Sequence, residues 1–147
     1  MPLTLTAGVN YDSMDDIRTR YTTSNGVLGA MTRKENQSAF NVDEFLQASF
    51  EPTENWLILA GLRNSRINLS NKDQITSDGI DSTGSVKYKN TSPVAGVTYK
   101  VNPGLNVYAN YGKGFETPTF AETTYSDTAG NGPNLSMVPS KSKNYEI

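Results

Sequence analysis

Residues 91–122 read T-S-P-V-A-G-V-T-Y-K-V-N-P-G-L-N-V-Y-A-N-Y-G-K-G-F-E-T-P-T-F-A-E. Two alternating runs flank the turn Val101-Asn102-Pro103-Gly104. In the first run Ala95, Val97 and Tyr99 share a face, with Gly96, Thr98 and Lys100 on the other. In the second, Leu105, Val107, Ala109 and Tyr111 share a face, opposite Asn106, Tyr108 and Asn110. Side chains point to opposite sides of a strand at successive residues. Period two on both sides of an Asn-Pro-Gly turn therefore predicts an antiparallel hairpin with one apolar and one polar face.

The same alternation recurs along the chain. Leu3, Leu5, Ala7 and Val9 share a face in a first strand over residues 3–11. Val42, Glu44, Leu46, Ala48 and Phe50 share one over 42–50, and Trp56, Ile58, Ala60 and Leu62 over 56–69. Strands at 85–100 and 105–115 follow, and residues 141–147 open a sixth. Between them lie polar segments at 12–41, 51–55, 68–84, 101–104 and 116–140, so the connections alternate long, short, long, short, long. The expected fold class is all-β, an antiparallel up-and-down meander of about six strands, with long loops on one side and short turns on the other. That asymmetry is typical of bacterial outer-membrane barrels. Strands three to five also exceed the roughly 9–11 residues that a tilted strand needs to cross a bilayer. A soluble sheet with one wet face shows the same alternation. Against it stands the segment 12–41, long for a loop in a compact soluble domain unless it is functional. In a barrel it reads as an outer loop with room for a raised hairpin.

Composition narrows the functions. Of 147 residues, 35% are hydrophobic and 19% charged, and mean hydropathy is -0.53. The polar excess is Asn, Ser, Thr and Gly, which suits a sheet with one polar face rather than a disordered chain. Net charge is -2, so there is no electrostatic case for nucleic acid. With no cysteine and no histidine, disulfides, Cys/His metal sites and His-based triads are excluded. No apolar run reaches the roughly 18 residues of a transmembrane helix. Met1-Pro2-Leu3-Thr4 enters a strand pattern with no signal-peptide character, so a chain of the outer membrane is expected here as an internal piece. Glu116 and Glu122 have no nucleophile or base at telling positions. The expectation is a non-enzymatic chain without cofactor or metal.

Three passages carry a resemblance. Asn55-Trp56-Leu57-Ile58-Leu59-Ala60-Gly61-Leu62-Arg63 is similar to the "W-x-L-x-A-G-L-R" strand of TonB-dependent outer-membrane receptors. Ser92-Pro93-Val94-Ala95-Gly96-Val97-Thr98-Tyr99-Lys100 resembles their "S-P-x-x-G-x-x-Y-K", and residues 108–122 their "Y-A-x-Y-x-x-G-F-x-x-P-x-x-x-E". Residues 135–146 resemble the entry to the next strand, with Ser140 where the family usually has Glu. The segment 2–41 has no distinctive motif. The resemblance implies an internal part, residues 1–147, of a plugged barrel of about 22 strands. The plug, the energy-coupling box, the signal peptide and the terminal aromatic strand are expected to lie outside it. It implies a receptor of the bacterial outer membrane that imports an iron–siderophore or similar complex. The implied partners are the rest of the receptor with its plug, the TonB energy-coupling complex reached through that plug, the iron–siderophore-like ligand and outer-membrane lipid, with no nucleic acid. The reading from another class is a free-standing soluble β-domain, sandwich-like, binding a ligand or carbohydrate. A non-transporting, porin-like barrel is a third.

Candidate residues follow, each with a plainer role beside it. Trp56, Tyr99 and Tyr111, near strand ends, suit an aromatic girdle at a membrane interface, or ordinary packing in a soluble sheet. Arg63 lies on the face opposite Ile58 and Leu62, where it suits a lumen position or a structural salt bridge. Arg18, Arg20, Tyr21, Arg33 and Lys34 would suit an anionic substrate in an outer loop. The neighbouring Asp15, Asp16 and Glu35 also fit a solvated mixed-charge loop. Asp73, Asp78 and Asp81, with Asn71 and Gly79, lack the spacing of a calcium loop. Gly112 and Gly114 suit a strand that bends or packs closely, ended by Pro118.

Overall fold

The computed structural model describes residues 2–76, 79, 81–125 and 133–147. Six strands form one antiparallel sheet in sequence order: β1 (Leu3–Ser24), β2 (Val27–Phe50), β3 (Trp56–Asp73), β4 (Gly84–Asn102), β5 (Leu105–Glu116) and β6 (Ser140–Glu146). A short helix, α1 (Phe120–Tyr125), lies between β5 and β6. The all-β meander expected from the alternation is the fold.

Register follows from the short turns. Trp56 donates its N–H to the Thr53 carbonyl at 3.3 Å and closes the β2–β3 turn. Phe50 then faces Ile58, Leu46 faces Leu62 and Asp43 faces Ser65. In the β4–β5 turn the Asn102 side chain accepts from the Gly104 N–H at 2.9 Å. Tyr99 then faces Val107, and Ala95 faces Tyr111. Because each pairing keeps the pleat in phase, the alternating sets led by Leu3, Leu46, Ile58, Ala95 and Val107 fall on one face of β1 to β5.

The segment 12–41 is not a loop. β1 and β2 run on past the apolar positions and close in a two-residue hairpin at Asn25-Gly26, where φ is +47° and +80°. Two successive positive φ values define the type I′ turn, whose twist matches that of the strands. The ladder slips near Tyr21, which pairs with Met31 after a bulge. The segment 68–84 is likewise shorter as a loop than its polarity suggests, since β3 continues to Asp73. The segment 116–140 contains α1. Thr119 caps the helix: its hydroxyl accepts from the Glu122 N–H, and Glu122 accepts from the Thr119 N–H at 2.7 Å. Met1, Asp78, Gly130 and Gly132 lie outside the described residues.

No sandwich forms, because the described strands make one sheet and no second one packs on it. The accessible area is 9929 Å². A compact monomer of this mass would expose roughly 7,400 Å². Among the described residues the buried apolar side chains are Leu69, Tyr88 and Pro118.

Candidate functional site

The two faces of the sheet carry different arrangements, one apolar and one polar. On the apolar face, Leu3, Leu5 and Ala7 of β1 lie opposite Phe50, Ala48 and Leu46 of β2, and Val9 lies opposite Glu44. The row continues through Ile58, Ala60 and Leu62 of β3, Ala95 and Val97 of β4, and Val107 and Ala109 of β5. These side chains face outward: Val9 is 72% exposed, Leu5 64%, Leu46 56% and Leu62 50%. Two aromatic pairs lie on this face. Trp56 faces Tyr99 near the short turns, ring centroids 4.7 Å apart. At the far side Tyr111 faces Tyr145 of β6 at 5.0 Å. The structure thus brings Trp56 and Tyr99 together, and gives Tyr111 a partner that the sequence reading did not select.

The opposite face is polar and holds the buried polar groups. Asp43 is buried and accepts hydrogen bonds from three side chains: Arg63, Ser65 at 2.5 Å and Asn41 at 2.8 Å. Arg63 also pairs with Asp43 as an ion pair, while its own side chain stays 57% exposed. A cavity of about 360 Å³ opens beside this cluster toward Lys113 and Thr117. A second of about 400 Å³ opens toward Phe45 and Gln47. Both touch Asp43, Arg63 and Ser92, so Arg63 stands between two hollows of the polar face. The Phe45 ring lies over Gly8, where an added Cβ would meet it at 2.6 Å.

A second polar cluster lies further along. Glu35 is buried, with Arg33 at 3.8 Å and Arg18 at 3.9 Å. Ser82 donates its hydroxyl toward Glu35 at 2.8 Å and toward Asp73 at 2.9 Å, and Asn71 donates to the Ser82 carbonyl at 2.8 Å. Arg18 and Arg33 are therefore drawn to one buried carboxylate rather than spread over a solvated loop. Arg20 is exposed and faces Arg33 across the ladder. Lys34 faces Thr19 on the other side of the sheet, and its carbonyl accepts from the Gln74 N–H at 2.8 Å. Tyr21 sits at the bulge, 39% exposed. Asp73 accepts from the Ile75 N–H at 2.9 Å, just past the end of β3. Asp81 accepts from Thr83, whose hydroxyl and N–H hold its carboxyl below the ordinary range.

Sequence reasoning missed Asp43, Glu35, Ser65 and Ser82. Asp43 and Ser65 were reachable from the register, once Phe50 is set against Ile58 across the short turn.

Against known protein families, residues 2–147 match the model described as "TonB dependent receptor-like, beta-barrel". That family belongs to the outer membrane of Gram-negative bacteria and works with a plug domain and the TonB system. The match spans nearly the whole chain, and the chain belongs to the TonB-dependent receptor-like β-barrel family.

Proposed function

We propose that this chain forms a wall segment of an outer-membrane receptor barrel that imports an iron–siderophore or similar anionic complex. The observation that carries the reading is the outward-facing apolar band across the sheet, edged by Trp56–Tyr99 and Tyr111–Tyr145. Exposed apolar side chains in continuous rows need a partner. Hydrocarbon lipid is the partner that an exposed apolar band running across adjacent antiparallel strands fits. The polar face then lines the lumen, with Arg63 and Asp43 toward the plug. Further strands, about 22 in all, complete the ladder beyond β1 and β6.

The β1–β2 hairpin and the ends of β3 and β5 at Asp73 and Glu116 stand at the outer end. There Arg20 lies opposite Arg33, a like-charge cross-strand pair that an anion would bridge. Arg18, Arg33 and Glu35 hold that surface, with Tyr21 at the nearby bulge and Lys34 on the other face of the hairpin. Arg20→Gln in the receptor is expected to weaken uptake of an anionic ferric complex about tenfold or more, the loss of one charge-assisted hydrogen bond. Uptake of radiolabelled iron by cells checks this. Unchanged uptake would remove the hairpin from the substrate path.

A further inference from the structure

On β5 and β6 the next positions on the same face beyond the apolar band are lysines, while on β4 Pro93 and Thr91 come before Lys89 and Lys87. Lys113 of β5 directly faces Lys143 of β6, one pleat period beyond Tyr111 and Tyr145, a rise of about 7 Å. Lys141 follows, opposite Phe115. On β4, Lys89 faces Arg66 and Lys87 faces Asn68. Five of the eight lysines of a chain with net charge -2 thus collect beside one stretch of the band.

These lysines are exposed, and none has an ion-pair partner among the described residues. Glu44 is the nearby acid on this face, and Arg66 takes it at 3.2 Å. Glu146 points to the other face, where it accepts from the Tyr108 hydroxyl at 3.0 Å. Like charges directly opposite on a sheet repel.

The local backbone gives these charges a cleft. The β4–β5 ladder ends at Val94 and Gly112, next to Pro93, which has no N–H to donate. The strands part there and leave a cleft of about 200 Å³. Lys113, Lys141 and Lys143 line it, with Asn90, Thr91, Gly114 and Ser142.

We infer that the Lys113–Lys143 cleft, with Lys141, docks the phosphate of anionic lipid headgroups in the leaflet around the barrel. Charge complementarity supports a phosphate, and its place one step beyond an aromatic pair puts it at headgroup depth. The inference rests on the lipid-facing reading of the apolar band.

The test is lipid selectivity, measured by electron spin resonance with spin-labelled phosphatidic acid and phosphatidylcholine on the protein in phosphatidylcholine vesicles. Wild type is expected to prefer phosphatidic acid at its boundary. Lys113→Gln with Lys143→Gln is expected to lose about fivefold of that preference per lysine. Lys100→Gln, at the opposite end of β4 and on the other face, is expected to leave it unchanged. Equal loss with Lys100→Gln, or no preference in wild type, overturns the docking site while the lipid-facing band stands. Removal of the preference by millimolar inorganic phosphate overturns the lipid as the ligand. Failure of wild type to enter phosphatidylcholine vesicles overturns the lipid-facing reading and the inference with it.

Discussion

Asp43 and Arg63 form an unequal pair. The carboxylate is 2% exposed and the guanidinium 57%. Removing one partner therefore leaves very different remainders. Without Arg63 a buried carboxylate keeps only Ser65 and Asn41 as donors. Without Asp43 the guanidinium turns to water. Arg63→Met is expected to destabilise by about 2–3 kcal/mol, below the range for a fully buried pair because Arg63 is half solvated. Asp43→Asn, which keeps an acceptor for Ser65, is expected to lose about 1 kcal/mol. The double variant should recover most of the Arg63→Met loss, since no buried charge remains. Urea unfolding in lipid vesicles measures all three, and equal single losses would contradict the asymmetry. In the sequence Arg63 was visible because it breaks an apolar strand. Asp43 was not, because a lone acid in a polar alternation carries no signal until the β2–β3 turn sets the register.

The elements that sequence reading missed had local signatures outweighed by composition. The segment 12–41 is rich in Thr, Ser, Asn and charge, which reads as loop. Yet Asn25-Gly26 is among the strongest two-residue hairpin signals, and the long ladder on each side follows from it. In the third long segment, Thr119-Phe120-Ala121-Glu122 is a capping box, and it starts α1. That box gives a pH prediction. Bonds from the Thr119 N–H and hydroxyl hold the Glu122 carboxyl below its ordinary 4.5. A group with a lowered folded pKa stabilises fully above its unfolded value and loses that stabilisation as pH falls through the folded value. The helix start is thus expected to hold above pH 4.5 and to fray below it. Hydrogen exchange at the Thr119 amide would report this; protection unchanged through pH 3 would contradict it. The band itself was legible because period two survives in the first, second and fifth strands, although β3 is apolar on both parities at Leu57 and Leu59.

At the scale of the molecule, one sheet with two unlike faces explains both the low apolar content and the large exposed area. A soluble domain of this size would fold its apolar face onto something, and β1 and β6 would not both stand as open edges. The central claim is that the apolar face meets hydrocarbon and the polar face does not. Since the chain has no cysteine, single cysteines at residues 57–62 give unambiguous nitroxide labels. The decisive measurement is their accessibility to oxygen against a water-soluble nickel chelate, with the protein in lipid vesicles. The predicted result is period two, with oxygen contact high at Ile58, Ala60 and Leu62 and low at Leu57, Leu59 and Gly61. A flat profile, or one with the phase reversed, would contradict the assignment of the two faces.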